Sequence, residues 1–220
     1  MTKVIFIGAT GTDIGKTHVT CLLLEQLREQ GHRARAIKPV ISGFDAAAVE
    51  QSDSGQILQA MGEAPTLARA EQISPWRYPE PLPPHLAAER SGRPINFDQL
   101  VQFCQDQARA DLDYLLIEGV GGIMTPINRE KTTLDLVERL GSPCLIVTGS
   151  YLGTLSHTLT CLTAIQQRNV EILGLIVSES LENYINFDIV IADFTKMLPH
   201  IAVHKLARNE QNQNMVTFVN

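Results

Sequence analysis

The feature that most constrains this chain is a short apolar run that leads directly into a glycine-containing turn and then a helical pattern. Residues 4–7 (VIFI) are typical of a buried strand, and the turn at residues 10–17 (TGTDIGKT) follows at once. Over residues 17–30, valine and leucine recur at helical spacing, and Gly31 ends the pattern. The amino-terminal part is therefore predicted to fold as strand, turn and helix.

The turn has the character of an anion site. A helix that begins after a strand gathers backbone N–H groups and the positive end of its dipole at one point. Lys16 would reach the β and γ phosphates of a nucleotide there, and the Thr17 hydroxyl would coordinate Mg²⁺. The usual pattern G-x-x-x-x-G-K-[ST] fails at its first position, which is Thr10. We predict a nucleoside triphosphate with magnesium; the alternative is an ordinary turn with an exposed lysine.

Further apolar runs alternate with helical patterns, at residues 34–40, 113–119, 144–149 and 172–178. Continuously apolar strands that alternate with helices are typical of a parallel sheet covered on both faces. The sequence therefore predicts an α/β protein with a three-layer, Rossmann-like P-loop fold, in which a mainly parallel sheet is flanked by helices on both faces. With 220 residues, 44% of them hydrophobic, residues 1–220 are expected to form a single domain.

Two other segments carry local signals. Asn96 can cap a helix whose Gln99, Leu100 and Phe103 follow at suitable spacing. Residues 74–84 are rich in proline, which has no backbone N–H, and they are predicted to be a stiff, irregular surface excursion.

Composition limits the possible partners and compartments. The formal net charge of -6 gives no general attraction for nucleic acid or an anionic membrane surface. No apolar run approaches membrane-spanning length. The four cysteines lack paired spacing, so they are expected to be buried free thiols in a reducing compartment, by default the cytoplasm.

Polar residues at predicted strand ends extend the candidate site. Glu118 ends one apolar strand, Asp53 lies near the start of a helical segment after the second strand, and Lys38 lies at a strand end. Since the carboxyl ends of parallel strands line the ligand crevice, the acids would bind magnesium and Lys38 would stabilise a transferring phosphoryl group. The alternatives are a structural ion pair for Glu118, a helix cap for Asp53 and a surface position for Lys38. His85 and His157 lack a nucleophile partner and are interpreted as structural.

The order of these motifs resembles dethiobiotin synthetase, an enzyme family of biotin synthesis. The segments that carry the resemblance, over residues 1–174, are GKT at 15–17, KPVISG at 38–43, Ser52-Asp53, Pro84-His85 and EGVGG at 118–122. The resemblance implies a homodimeric ligase that forms carbon–nitrogen bonds. Its substrates would be 7,8-diaminononanoate, carbon dioxide or bicarbonate, and ATP, and its metal would be Mg²⁺.

The resemblance also implies a role for individual residues. Lys16 and Lys38 would be catalytic, and Thr17, Asp53 and Glu118 would hold the metal. The expected nucleotide-binding residues are Asp13, Ile14, Gly15, Lys16, Thr17, His18, Asp53, Glu118, Gly119, Val120, Gly121 and Ser178. The expected substrate-binding residues are Thr12, Ser42, Gly122, Gly153, Thr154, Leu155 and Ser156. Exposed N–H groups at the start of the helix after the fourth strand suit a carboxylate.

Two alternatives stay open at the level of sequence. A nucleotide-switch ATPase of the partitioning or maturation type shares the altered phosphate loop and the parallel sheet. Such a protein is expected to have a second lysine early in the loop, where this chain has Ala9, Thr10 and Gly11. The base of the triphosphate is also open, because a hydroxyl at Ser178 lacks the paired donor and acceptor of the amide usual in the family.

Overall fold

The computed structural model describes residues 2–181, 184–208 and 214–219. Its main sheet has six strands in the order β2-β5-β1-β6-β7-β8, and a second sheet pairs β3 with β4. The strands are β1 (Lys3–Ala9), β2 (Ala34–Ile37), β3 (Val40–Ser42), β4 (Trp76–Tyr78), β5 (Tyr114–Glu118), β6 (Cys144–Gly149), β7 (Ile172–Ser178) and β8 (Val203–Leu206). The helices are α1 (Lys16–Glu29), α2 (Asp53–Ala60), α3 (Leu67–Ile73), α4 (Pro84–Arg90), α5 (Phe97–Ala108), α6 (Thr133–Leu140), α7 (Thr154–Gln167) and α8 (Phe187–Met197).

The neighbouring strands of the main sheet run parallel, and the central strands are buried on both faces. β5 is buried along its whole length, as is β6. Parallel strands need crossover connections, and helices between them supply these connections and cover the sheet. The predicted α/β fold with a parallel sheet between helices is confirmed. The expectation of a single domain over residues 1–220 stays a prediction.

Parallel pairing aligns the strand ends that carry the predicted site. Ile7 of β1 pairs with Glu118 of β5, and Ile37 of β2 pairs with Ile117. Because the three strands end at the same edge, the turn at residues 10–17, here called the phosphate turn, lies close to Lys38 and Glu118.

The prediction of one strand over residues 34–40 was wrong. β2 ends at Ile37, and the N–H of Lys38 donates to Ile73 O instead of continuing the ladder. Pro39 has no N–H to donate, so a central strand cannot run through it. The chain turns away, and β3 pairs with β4 in the second sheet.

The prediction that residues 74–84 contain no regular element was also wrong. β4 lies between Pro75 and Pro79, which are just outside its ends. Tyr78 is fully buried, and its hydroxyl donates to Arg93 O. Proline excludes a strand only where its missing N–H is needed, and here both prolines flank the paired residues.

One local prediction was confirmed and one strand was missed. The Asn96 side chain accepts a hydrogen bond from the N–H of Gln99, which confirms the predicted cap. The edge strand β8 was missed, because Val203–Leu206 includes His204 and Lys205 and has no apolar run.

The four cysteines are free thiols, of which Cys21 is half-buried and the others buried. Among the described residues, no helix is long and apolar enough to cross a membrane.

Candidate active site

A cavity of about 730 Å³ lies beside the carboxyl ends of β1, β2 and β5. Eleven of its eighteen lining residues are predicted site residues, and the others are Ile41, a proline-rich segment and a second loop. The lining residues are Thr12, Asp13, Gly15, Lys16, Thr17, His18, Lys38, Ile41, Ser42, Asp53, Pro81, Leu82, Pro83, Pro84, Val120, Gly121, Thr125 and Pro126. A cavity of this size can enclose a ligand of several hundred daltons.

The phosphate turn wraps the start of α1. Gly15 precedes the helix with a left-handed φ of 96°, and no side chain caps the free N–H groups. A side chain at this position would be strained, and its Cβ would approach Ser178 Oγ to 2.8 Å. The turn therefore leaves the N–H groups of the first helical turn available to an anion.

Lys16 belongs to this turn and is the first residue of α1. Only 6% of it is exposed, and its Nζ donates to Gly11 O at 2.9 Å. Burial, followed by repulsion from Lys38, lowers the pKa of Lys16 to about 8. The surrounding protein compensates the positive charge of Lys16 only in part, and an anion bound in the cavity would compensate the rest.

A charge cluster adjoins the cavity, and in it Lys38 and Glu118 are buried whereas Asp53 is half-buried. Lys38 Nζ lies 2.6 Å from Asp53 Oδ2 and 2.6 Å from Glu118 Oε1. The Thr17 hydroxyl donates to the same Glu118 oxygen at 2.8 Å. Burial alone would lower the pKa of Lys38, but the Glu118 and Asp53 carboxylates outweigh it and hold that pKa above its usual value. Burial would likewise raise the pKa of Asp53, yet Lys38 keeps it below the usual range.

Among the residues that the structure describes, two polar atoms of the site are buried without a hydrogen-bond partner. They are Glu118 Oε2 and Ser42 Oγ. Buried polar groups are nearly always paired, so orphaned atoms beside a cavity indicate positions kept for a ligand.

The remaining predicted nucleotide residues lie around the cavity in different ways. Gly119 packs against Phe6, and a Cβ there would lie 2.8 Å from the ring. Ile14, Glu118 and Gly119 are not part of the cavity wall, although Glu118 reaches it through Lys38 and Thr17. Ser178 lines a separate cavity of about 230 Å³, together with Gly15, His18, Leu206, Ala207 and Arg208.

The predicted substrate residues divide into two groups. Thr12 and Ser42 line the cavity, and Gly122 lies behind it against Thr10 O. The other group, Gly153, Thr154, Leu155 and Ser156, forms the start of α7 and does not line this cavity. Gly153 and Ser156 are exposed, whereas the Thr154 hydroxyl points inward and donates to Gly149 O at 2.6 Å.

Some wall residues were missed in the sequence. The prolines at 81, 83 and 84 were placed in a surface excursion, and their spacing gives no sign that they face a ligand. Thr125 and Pro126 follow the glycines after β5, and their position depends on the path of that loop. His85 and His157 do not line the cavity; the His157 ring lies 3.0 Å from the Tyr151 hydroxyl.

A parallel sheet with this phosphate turn, lysine and acidic strand end defines the chain as a P-loop nucleotide-binding protein. A family model described as an AAA domain matches residues 3–213. Curated relatives specify the family: the ATP-dependent dethiobiotin synthetase BioD of Caulobacter vibrioides is 44% identical over 181 residues, which cover 82% of this chain and 81% of the relative. The chain belongs to the dethiobiotin synthetase family.

Other relatives carry the same name over similar or greater lengths. The enzyme of Phenylobacterium zucineum is 44% identical over 80% of this chain and 76% of its own length. That of Francisella tularensis subsp. holarctica is 31% identical over 94% of this chain and 93% of its own.

Solved structures resemble the chain in fold alone. A ParA family ATPase from Chlorobium tepidum superposes with a TM-score of 0.58 at 14% identity, over 96% of this chain and 86% of that one. The MinC:MinD complex of Aquifex aeolicus gives 0.57 at 15% identity, over 100% and 85%.

Proposed function

We propose that this chain is an ATP-dependent dethiobiotin synthetase, a ligase of biotin synthesis that forms carbon–nitrogen bonds. It takes 7,8-diaminononanoate, carbon dioxide or bicarbonate, and ATP, and it releases dethiobiotin, ADP and phosphate. The observation that carries the proposal is the meeting of Lys16, Lys38 and Asp53 at one cavity, with Glu118 ion-paired to Lys38, in a chain of this family.

The chemistry needs an activated carbamate. A carbamate on one amine is a poor electrophile until its oxygen accepts the γ-phosphoryl group. The second amine then attacks the carbamate carbon, expels phosphate and closes the cyclic urea. Positioning and compensation of negative charge are therefore what the protein must supply.

Lys16 and Lys38 are proposed to supply the positive charge. Lys16 would contact the β and γ phosphates, supported by its position in the phosphate turn. Lys38 is buried and lines the same cavity as Ser42, which supports a position facing both the carbamate and the γ-phosphoryl group. Thr12 and Ser42 would contact the diamine or its carbamate, with the backbone of Gly121 and Gly122 close by.

Thr17 and the two carboxylates of the charge cluster fit a magnesium ion. Thr17, Asp53 and Glu118 offer hard oxygen donors, and Glu118 Oε2 is buried and unpaired. Mg²⁺ is commonly bound by one or two carboxylates together with substrate phosphates and water. When bound, Mg²⁺ would neutralise charge on the phosphates. The two carboxylates and Thr17 would orient it.

The start of α7 is proposed to bind the carboxylate of the diamine across a homodimer interface. Gly153 and Ser156 are exposed, and no side chain of the described residues caps this helix start, where the Thr154 N–H donates to Tyr151 O. Leu152 is also exposed, as suits a contact with a second subunit. We further propose a cytoplasmic enzyme in which Ile14, Gly119 and Val120 shape the nucleotide site and Ser178 lies near the base.

A single assay tests the function. Phosphate release would be measured from ATP and from CTP, with and without diaminononanoate and bicarbonate. We expect release to depend on the diamine, and the ratio between the two triphosphates reports the choice of base. Triphosphate hydrolysis that is indifferent to the diamine would instead favour a nucleotide-switch ATPase.

A further inference from the structure

Four threonine hydroxyls meet behind the phosphate turn. Thr148 Oγ1, at the end of β6, lies 2.9 Å from Thr10 Oγ1, 3.0 Å from Thr154 Oγ1 and 2.8 Å from Thr158 Oγ1. Thr148 and Thr158 are completely buried, and Thr154 is 3% exposed. The cluster thus connects the first residue of the phosphate turn with the first turn of α7.

Counting hydrogens fixes the direction of these hydrogen bonds. A threonine hydroxyl has one proton to donate and two lone pairs that accept. Thr154 donates its proton to Gly149 O at 2.6 Å, so it can only accept from Thr148. Thr148 has then used its own proton, and its two lone pairs accept from Thr10 and Thr158. The Thr148 hydroxyl is fully satisfied in this arrangement.

The hydrogen bonds therefore form a directed path from Thr10 through Thr148 and Thr154 to Gly149 O. The turn is held at the same place by its backbone, since Thr10 N donates to Val147 O at 3.0 Å. Because Thr148 is completely buried, a displacement of the half-buried Thr10 would leave the Thr148 hydroxyl without one of its donors, at a cost in free energy. The start of α7 is tied in the same way through Thr154.

We propose that Thr148 is a positioning residue that couples the phosphate turn to the start of α7. Binding of a triphosphate at the phosphate turn then orders the N–H groups at residues 153–156. Conversely, binding of a second ligand at the start of α7 orders the phosphate turn. The identity of the second ligand, a carboxylate of the diamine, rests on the proposed function. The coupling itself rests only on the path of hydroxyl groups from Thr10 to Thr154.

Two Thr→Val substitutions separate coupling from stability. Thr148→Val keeps the shape of the side chain but removes the centre of the path. Thr158→Val is the matched control, because Thr158 is equally buried and loses one hydrogen bond to Thr148, yet the path from Thr10 to Thr154 stays intact. Thr148→Ser restores the hydroxyl and should restore the wild-type behaviour.

The first readout is hydrogen exchange of amides 150–160, measured with and without a non-hydrolysable ATP analogue and magnesium. We expect the analogue to slow exchange there in the wild type, in Thr158→Val and in Thr148→Ser, but not in Thr148→Val. The second readout is steady-state kinetics, in which Thr148→Val should raise the KM for the diamine at least five-fold and change kcat less than two-fold.

Two results would overturn the inference. One is that the analogue does not slow hydrogen exchange of amides 150–160 in the wild type, and the other is that it slows this exchange equally in Thr148→Val and Thr158→Val. Neither result touches diamine-dependent phosphate release, which decides the proposed function on its own. Conversely, an enzyme with no diamine-dependent release could still show the nucleotide-dependent exchange.

Discussion

At the scale of single residues, hydrogen-bond satisfaction separates the structural atoms of the site from those left for ligands. Lys38 compensates one oxygen each of Asp53 and Glu118. A buried carboxylate without such a partner would be strongly destabilising, so Lys38 has a structural role in addition to its proposed catalytic one. Glu118 Oε2 and Ser42 Oγ have no hydrogen-bond partner in the described part of the chain, and they carry an energetic penalty unless something binds them.

This distinction predicts an unusual outcome for Ser42→Ala. Removing an unsatisfied buried hydroxyl should leave the free energy of unfolding unchanged or raise it by about 1 kcal/mol. The KM for the diamine should rise about five- to ten-fold, as for one lost hydrogen bond. Urea unfolding and steady-state kinetics check the two effects.

Ser74→Ala is the matched control. The Ser74 hydroxyl is buried and lies 2.6 Å from Ser54 Oγ, so its removal strands a partner and should destabilise the protein by about 1 to 3 kcal/mol. If Ser42→Ala destabilises as much as Ser74→Ala, the Ser42 hydroxyl is paired in the folded protein and is not reserved for substrate.

At the scale of elements, α2 holds Asp53 in place through close packing against a short 3₁₀ helix at Val49–Gln51. Ser52 caps α2, with its side chain accepting from Gly55 N, and Asp53 is the first helical residue. Gly55 contacts the preceding segment so closely that a Cβ there would lie 1.9 Å from Val49 O. Only glycine permits this approach, and it sets where the Asp53 carboxylate lies.

Gly55→Ala is therefore predicted to damage both stability and activity. The backbone of α2 or of the 3₁₀ helix must move, at a cost of about 1 to 3 kcal/mol. Asp53 would move with it, so kcat should also fall. Gln59→Ala on the exposed side of α2 serves as control and should change the unfolding free energy by less than about 0.5 kcal/mol. Equal stability of the two variants would show that this contact is looser than described.

The capping box of α6 gives a pH-dependent prediction. Asp135 accepts hydrogen bonds from the N–H and the hydroxyl of Thr132. Burial would raise the pKa of Asp135, but these hydrogen bonds outweigh it and hold that pKa below its usual value. A depressed pKa in the folded state stabilises the protein above the unfolded pKa of about 3.9, and the stabilisation disappears as pH falls through the folded value.

Asp135→Asn should therefore destabilise the protein by about 1 kcal/mol at pH 7. The difference from wild type should shrink between pH 5 and pH 3, because protonation removes the same charge from the wild-type side chain. Urea unfolding at pH 7, 5, 4 and 3 measures it. A difference that stays constant down to pH 3 would mean that the charge of Asp135 does not contribute.

Elements also show how far the sequence alone could lead. β6 and β7 have the predicted bounds, because a strand buried on both faces is a continuous apolar run. The phosphate turn, Lys38 and Glu118 could be brought together in advance, because parallel strands end at one edge. The break after Ile37 and the pairing of β3 with β4 depend on contacts distant in sequence, and no periodicity encodes them. The same holds for Thr125 and the prolines at the cavity wall.

At the scale of the whole molecule, the site is assembled from parts of the chain that are far apart in sequence. The cavity wall runs from Thr12 to Pro126, and its pieces are connected through the ends of β1, β2 and β5. A ligand that contacts all of these pieces binds the folded chain and not the unfolded one. Binding must then raise the thermal stability of the protein by mass action.

The last prediction is the size of that stabilisation and what it requires. A non-hydrolysable ATP analogue with magnesium, present at 100 times its Kd, should stabilise the protein by about 2.7 kcal/mol. For a chain of this length that corresponds to an increase in Tm of about 5 to 11 °C.

Omitting magnesium should remove most of the increase, because Asp53 and Glu118 would face the phosphates without a cation between them. Lys16→Ala should remove nearly all of it while leaving the unliganded Tm close to wild type, since Lys16 Nζ makes only one hydrogen bond, to Gly11 O, in the described structure. Differential scanning fluorimetry measures all three, and an undiminished increase in Lys16→Ala would mean that the phosphates bind elsewhere.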